Sequence, residues 1–282
     1  MMKMYDWQSI TVVTLLVVWA YYTMVYFIAR WKDDLSVIDI AWPFSFLLFS
    51  SILFWEKFLT HENLITYVEY LIYSIIVLWS LRLGTYLLIR NIKKGVEDAR
   101  YTNWRLQNGP HSMLKAYPFV FMTQMILMLI ISLPLFFVFA FYAGHNDQSI
   151  SGLLVIIGWF ISLFGVAYQG IADFQLNKFK KNASKNQIMD RGLWRYSRHP
   201  NYFGEMLVWW GLFIIFMGFV SEPILIAIAL ISPLCISFLL IKVTGAPLIE
   251  KRYQDQSQYL DYVNQTNKFI PKISLLFKGR TK

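Results

Sequence analysis

The sequence has few charged residues and almost no cysteine. Only 15% of its 282 residues are Asp, Glu, Lys or Arg, against roughly 25% in an average soluble protein. The single cysteine, Cys235, excludes an intrachain disulfide and any zinc site built on several thiolates. The four scattered histidines lack metal-ligand spacing, so no metal site is expected.

A second group of absences narrows the class of protein further. No Gly-x-Gly-x-x-Gly motif follows a strand pattern, which excludes a Rossmann domain. The sequence also has no internal repeat and no loop long enough to form a soluble domain. Any dinucleotide cofactor would therefore be bound among helices.

Long apolar runs dominate what is present. Hydrophobic residues make up 57% of the chain, and the mean hydropathy is +0.45. The runs are about as long as the roughly 20 residues needed to cross a bilayer. They predict seven spans, at about 8–29, 36–55, 64–89, 118–143, 150–172, 203–220 and 222–242. Because Pro223 fits either a turn between two helices or a kink within one bent hairpin, a count of six stays open.

The remaining charge is mostly positive and unevenly distributed. There are 26 Lys and Arg against 17 Asp and Glu, and 23 of the 26 fall in alternate loops and the C-terminal tail. By the positive-inside rule, this places the N-terminus outside and the C-terminus in the cytoplasm, which requires an odd number of spans. We therefore predict an all-α polytopic membrane protein with seven transmembrane helices and a single membrane domain over residues 1–282.

We single out five ionisable residues inside or at the ends of the predicted spans. Because charges are costly in a bilayer, such residues are functional candidates by default. They are Asp39, Arg82, Asp173, Glu205 and Lys242. The simpler alternative is snorkelling to the interface or a structural ion pair, such as Asp39 with Arg82.

The third span carries a basic helical face. Arg82, Tyr86 and Arg90 are spaced four residues apart, which places two guanidinium groups and a phenol on one side. Guanidinium groups are well suited to binding phosphate. These arginines would serve equally well to reach lipid headgroup phosphates.

Segment 190–205 combines basic, hydrogen-bonding and acidic side chains within sixteen residues. Three arginines offer charge for a polyphosphate, and His199 offers a group that could sense or neutralise a phosphate. Hydrogen-bonding side chains lie between them, and Glu205 falls in the first turn of a helix entered through Pro200. The residues are Arg191, Arg195, Tyr196, Arg198, His199, Asn201, Tyr202 and Glu205. A basic loop that binds anionic lipid would explain the arginines but not the other residues.

Residues 192–205, followed by Trp209-Trp210-Gly211, resemble the steroid 5-alpha-reductase-like family, in a bacterial branch filed as a domain of unknown function. The resemblance extends over about 165–272, through Ala172-Asp173-Phe174-Gln175-Leu176 and Glu250-Lys251-Arg252-Tyr253. It implies a seven-helix reductase of a bacterial inner membrane. Such an enzyme takes NADPH from the cytoplasm and reduces an activated C=C bond of a lipid or steroid-like enone.

The resemblance also implies site residues. Asp173, Asn201 and Glu205 would hydrogen-bond the nicotinamide amide and riboses, and Tyr253 would help close the pocket. The cofactor-binding set is Arg82, Arg90, Asp173, Lys180, Arg195, Tyr196, Arg198, His199, Asn201, Tyr202, Glu205 and Tyr253. Where that family has a catalytic Glu and Tyr, this chain has Asp39 and Trp79. Either Tyr86 or a protonated Asp39 polarises the carbonyl, or the substrate is not a 3-oxo steroid.

Two other functions stay open. Methyltransferases of the isoprenylcysteine carboxyl type look similar around Arg-His-Pro-x-Tyr and use S-adenosylmethionine. A non-enzymatic sterol or lipid binder is the second, and Trp79 is the best argument for it. A transporter is disfavoured because the charges cluster near one face and no inverted repeat is seen. The expected partners are membrane lipid and a hydrophobic small-molecule substrate, with neither nucleic acid nor an obligate protein partner.

Overall fold

The structure, a computed structural model, describes residues 7–61, 65–141, 151–184, 187–243, 245–246, 250, 253 and 255–272. Within these ranges the chain is helical and contains no β-strand beyond an isolated bridge between Ser197 and Asn267. The main helices are α1 (Trp7–Lys32), α2 (Val37–His61), α3 (Tyr67–Lys94), α4 (Ala99–Asn108), α5 (Ser112–Ile131), α6 (Gly152–Asn182), α7 (Pro200–Phe219), α8 (Pro223–Val243) and α9 (Ser257–Gln265). Shorter helical turns follow α5 at Leu133–Phe136 and Phe137–Phe141 and precede α7 at Gly192–Arg195.

Seven of the described helices are long and apolar enough to cross a membrane, namely α1, α2, α3, α5, α6, α7 and α8. This confirms the predicted all-helical class and the seven spans. Non-helical residues separate the end of α7 at Phe219 from Pro223, which opens α8, so two helices form here and not one bent helix. The orientation of the termini stays a prediction.

The helix ends differ from the predicted limits. Helix α6 continues to Asn182, well past the predicted end at 172, and α5 already begins at Ser112. The apolar run stops where the membrane stops, but backbone hydrogen bonding continues into the polar residues beyond it. Hydropathy therefore located the spans without locating the ends of the helices.

The chain forms two compact units. Unit 1 comprises Met1–Gly152 and Phe216–Ser232, and unit 2 comprises Leu153–Ile215 and Pro233–Lys282. The single membrane domain predicted over 1–282 stays a prediction.

Aromatic side chains fill the core of unit 1 between α2 and α3. Trp79 is fully buried and meets Phe46 edge-on, with 5.3 Å between ring centres. About two turns farther along α2, Phe54 stacks on Tyr73 of α3, with ring centres 4.4 Å apart. Trp79 is therefore part of the packed core of this unit.

An ion pair that the sequence did not reveal lies inside unit 1. Lys57 on α2 donates to Glu69 on α3, and both side chains are almost completely buried. Glu69 also accepts from the backbone N–H of Thr66 at 2.5 Å, which caps the start of α3. A buried pair of this kind needs all its hydrogen bonds, because a charge left alone in the interior is very costly.

In unit 2, helices α6 and α7 approach each other closely enough for their backbones to touch. A Cβ atom on Gly204 would lie 2.8 Å from both the Gln169 nitrogen and the Gly165 oxygen. A Cβ on Gly165 would lie 2.7 Å from the Gly204 oxygen. The two glycines therefore bring nearby side chains of α6 and α7 within hydrogen-bonding distance.

We expect Gly204→Ala to lower the stability of the protein by about 1–3 kcal/mol, the usual cost of forcing extra volume into a packed core. The new methyl group would push α6 and α7 apart, since the obstructing atoms belong to the backbone. Thermal unfolding in detergent measures the change. Gly152→Ala is the matched control, because its Cβ would meet only the Tyr67 hydroxyl at 3.7 Å. Equal melting temperatures for both variants would contradict the close contact.

Candidate functional site

Four polar side chains face each other across the α6–α7 contact in unit 2. Gln169 and Asp173 lie one turn apart on α6, and Asn201 and Glu205 lie one turn apart on α7. The Gln169 amide donates to Glu205 at 2.5 Å, and the Asn201 amide donates to Asp173 at 3.3 Å. Trp209 also donates to Glu205, at 3.1 Å. We call the four residues the amide–carboxylate ladder.

The ladder is buried, yet two of its oxygens lack partners. Gln169, Asp173 and Glu205 are no more than 5% exposed, and Asn201 is half-buried. Among the residues that the structure describes, neither Gln169 Oε1 nor Asn201 Oδ1 has a hydrogen-bond partner. The amide orientations are fixed, because flipping either amide would turn an oxygen toward a carboxylate. The ladder therefore offers buried acceptors that a ligand with N–H or O–H groups would satisfy.

A C-terminal strap, defined as residues 257–272, binds the segment that leads into α7. Backbone hydrogen bonds join Arg198 N to Asn267 O at 2.9 Å, His199 N to Lys268 O at 3.1 Å and Lys272 N to Tyr196 O at 2.8 Å. The Tyr262 hydroxyl donates to the Trp194 carbonyl, and the Thr266 hydroxyl donates to the Arg195 carbonyl at 3.2 Å. The strap thus fixes the backbone immediately before Asn201.

Glu250 is the charged centre of this junction. It accepts from Arg198 Nε at 3.1 Å, His199 Nε2 at 3.0 Å and Lys268 Nζ at 3.1 Å. Burial alone would raise the pKa of Glu250, but the hydrogen bonds from His199 and Lys268 and the charge of Arg198 lower it from 4.5 to about 2. Burial also lowers the pKa of His199 below 6.5, against the opposing effect of Glu250.

Acidification is expected to loosen the strap. Because the folded pKa of Glu250 is depressed, its stabilising contribution is present above pH 4.5 and is lost as the pH falls toward 2. His199 acts in the same direction, since its buried neutral form must take up a proton. Hydrogen exchange of residues 257–265 measured between pH 7 and pH 3 tests this. In Glu250→Gln, the strap should exchange faster at pH 7 and change less on acidification.

The remaining predicted residues of unit 2 lie around the ladder. Lys180 is exposed and follows Asp173 by seven residues, so it lies on the same face of α6. Arg195 ends the Gly192–Arg195 turn, with its guanidinium 5.9 Å from the centre of the Tyr196 ring. Tyr202 stacks on His199, and Tyr253 packs beside Tyr259.

Arg198 is already heavily engaged. Its guanidinium donates to Glu250 and to the backbone oxygens of Val263 and Thr266, at 3.2 and 2.9 Å. The predicted phosphate contact of Arg198 would therefore have to be made alongside these bonds or at their expense. Its clearest role in the structure is to attach the strap.

A groove of about 510 Å³ occupies the opposite face of α6. Gln175, Lys178 and Asn182 line it from the helix, and Arg191 lines it from the following loop. These helix positions point away from Asp173 and Lys180. The groove is thus separate from the ladder within unit 2.

The two predicted catalytic residues belong to unit 1. Asp39, in the first turn of α2, accepts hydrogen bonds from the Arg100 guanidinium and from the Tyr101 hydroxyl, the latter at 2.7 Å. Gln124 donates to the same hydroxyl at 3.2 Å. Burial, together with the charge of Asp39, raises the pKa of Tyr101 well above 10. Asp39 therefore forms its ion pair with Arg100, a residue outside the predicted site.

The basic face of α3 also lies in unit 1. Arg82, Tyr86 and Arg90 lie on one uninterrupted helix, as their spacing predicted. Arg82 and Tyr86 are half-buried, whereas Arg90 is exposed, with its guanidinium 5.9 Å from the centre of the Tyr86 ring.

In the part of the chain that the structure describes, no group of three or more His, Cys, Asp or Glu residues is arranged to hold a metal ion.

Gln169 and Glu250 were missed as site residues. Gln169 lies four residues before Asp173 and therefore on the same face of α6. Its amide is uncharged, so the cost of placing charge in a bilayer did not mark it as a candidate. Glu250 belongs to the quoted motif, yet its partners Arg198 and His199 are about 50 residues away in the sequence. No local spacing reveals such a contact.

Comparison with known proteins finds one family. The chain matches the DUF1295 family, described as proteins of unknown function, over residues 25–266. No curated protein and no solved structure matches it. The matched range contains the ladder, Glu250 and most of the strap, as well as Asp39 and the basic face of α3. Because the match covers most of its length, this chain belongs to the DUF1295 family.

Proposed function

We propose that the protein is a membrane-embedded, NADPH-dependent reductase that acts on an activated C=C bond in a lipid or steroid-like enone. The observation that carries the proposal is the set of buried acceptors in the amide–carboxylate ladder. The resemblance of residues 165–272 to steroid 5-alpha-reductase-like proteins adds the reaction type. The cation distribution supports cofactor entry from the cytoplasmic side.

The ladder fits the nicotinamide end of the cofactor chemically. Each amide nitrogen already donates one of its two hydrogens to a carboxylate of the ladder. The acceptors without a partner among the described residues are Gln169 Oε1 and Asn201 Oδ1. A nicotinamide carboxamide has two N–H donors and each ribose has hydroxyl donors, so the ligand would complete the buried network.

Lys180 and Arg195 are the cations of unit 2 that we propose for the phosphate groups. Lys180 shares the helical face of Asp173 and lies about 10 Å farther along α6, at 1.5 Å per residue. Arg195 lies in the turn that precedes the start of α7. Both residues belong to unit 2, as does the ladder. This order along the helix, acceptors first and cations later, matches a ligand with an uncharged donor-rich end and an anionic end.

If NADPH binds here, the β-carbon of the enone would take up its hydride and the α-carbon would take up a proton from solvent. Charge then develops on the carbonyl oxygen, and a hydrogen-bond donor must stabilise it there. The candidates for that donor stay Tyr86 and a protonated Asp39. Within unit 1, both oxygens of Asp39 accept hydrogen bonds, from Arg100 and from Tyr101.

S-adenosylmethionine is the second candidate cofactor, and the acceptors of the ladder are what favour it. Its ammonium and ribose hydroxyls are also donors, so the ladder alone does not distinguish the two ligands. Lys180 and Arg195 favour NADPH, since S-adenosylmethionine has no phosphate.

Direct titration of the purified protein in nanodiscs tests the proposal. We expect saturable binding of NADPH, no comparable binding of S-adenosylmethionine, and loss of NADPH absorbance with at least one member of an enone panel. Tighter binding of S-adenosylmethionine would support the methyltransferase. Binding of a sterol with no turnover of any enone would support a non-enzymatic lipid binder and overturn the reductase.

A further inference from the structure

The imidazole of His199 is buried with one nitrogen bound and one nitrogen bare. The residue is 2% exposed, and its ring is held between Tyr202 and Phe269, with ring centres 5.5 and 5.6 Å away. Nε2 contacts Glu250 at 3.0 Å, whereas Nδ1 has no hydrogen-bond partner among the described residues. A bare buried nitrogen that no part of the described chain satisfies points to a ligand.

The neighbours of Glu250 determine which nitrogen carries the proton. Arg198 and Lys268 both donate to the Glu250 carboxylate, and together with His199 they hold it ionised, with its pKa lowered to about 2. An ionised carboxylate only accepts, so Nε2 must donate to it. Burial lowers the pKa of His199, which leaves the ring neutral with a single proton. That proton is on Nε2, and Nδ1 is therefore an acceptor.

We propose that Glu250 is a positioning residue that fixes the tautomer of His199, so that Nδ1 accepts a hydrogen bond from a hydroxyl or amide group of the bound ligand. The identity of that ligand as NADPH rests on the proposed function, but the role of Glu250 does not. His199 then adds a third acceptor to those of Gln169 and Asn201.

This assignment changes the chemistry expected from the sequence. A neutral imidazole that presents a lone pair repels phosphate oxygens, so His199 does not neutralise a phosphate. It belongs with the donor-rich part of the ligand, such as a ribose hydroxyl. His199 lies immediately before α7 and Asn201 lies in its first turn, so a single ligand group could reach both residues.

Nitrogen-15 NMR of histidine-labelled protein tests the tautomer directly, because the chain has only four histidines. His199→Gln assigns the signal. In the unliganded wild type, we expect the neutral form protonated on Nε2. In Glu250→Gln, we expect a mixture of both neutral tautomers, because the glutamine amide offers a donor as well as an acceptor. Asp255→Asn, an acid-to-amide change at an exposed position of the same segment, should leave the wild-type signal.

The ligand half of the proposal has its own readout. Addition of NADPH should shift the Nδ1 resonance of the wild type, and Glu250→Gln should bind NADPH about tenfold more weakly, whereas Asp255→Asn should not. A wild-type ring protonated on Nδ1, or an unchanged tautomer in Glu250→Gln, overturns the role of Glu250. An Nδ1 resonance unmoved by NADPH overturns ligand contact. Failure of NADPH to bind the wild type refutes the reductase, while the tautomer in the unliganded protein still decides the role of Glu250.

Discussion

Replacement of Asn201 by alanine is expected to weaken NADPH binding by roughly 10- to 100-fold while the protein stays folded. The change removes a buried acceptor, Oδ1, that faces no donor in the described chain. It also removes the amide that donates to Asp173 at 3.3 Å and orients that carboxylate. Hydrogen bonds that involve charged groups contribute about 1.5–3 kcal/mol each, which corresponds to the stated range of affinity. Fluorescence titration with NADPH in nanodiscs measures the loss.

Asn182→Ala is the matched control for this variant. It makes the same chemical change on α6, at an exposed position that lines the groove on the face opposite the ladder. Its affinity for NADPH should equal that of the wild type. If Asn201→Ala also binds NADPH normally, the ladder is not the cofactor site.

Lys57→Met should reduce the free energy of unfolding by about 3–5 kcal/mol, which is the usual cost of leaving one member of a buried ion pair alone. Glu69 is fully buried and would lose its only countercharge among the ion pairs that the described residues form. The start of α3 depends on the same carboxylate, since Glu69 caps Thr66. Reversible unfolding in mixed detergent micelles with increasing dodecyl sulfate measures the change.

Two companion variants separate charge from packing. The double variant Lys57→Met/Glu69→Gln removes both charges and keeps an oxygen for the Thr66 N–H, so most of the stability should return. Lys93→Met, at an exposed position near the end of α3, should change the stability little. A Lys57→Met protein as stable as Lys93→Met would mean that the pair does not form inside unit 1.

The spans could be predicted because the information that specifies them is local. Each apolar run reports its own position in the bilayer, and all seven predicted runs correspond to helices. The end of α6 and the position of Lys57 on α2 were missed for one common reason. Helices continue beyond the apolar run, and the predicted second span stopped at 55, two residues before Lys57.

For the candidate site, the sequence predicted residues but not their contacts. Asp173, Asn201 and Glu205 were predicted from the cost of placing charge in a bilayer and from the 190–205 motif. Asp173 and Asn201 form a direct contact across the α6–α7 interface. What the spacing did not reveal was the pairing itself, since it depends on how closely Gly165 and Gly204 let two backbones approach. The ion pair of Asp39 with Arg100 likewise depends on how α4 packs, which no periodicity describes.

The strap also has a consequence for the order of biosynthesis. Helices α6 and α7 can pair as soon as residue 219 has been inserted, because every member of the ladder lies before that point. His199 acquires its Glu250 partner only later, and the backbone bonds to 267, 268 and 272 form last. A nascent chain therefore passes through a stage with the ladder built but the entrance to α7 unsecured. Quality-control proteases would have their best opportunity during that interval, and a cofactor present at synthesis would shorten it.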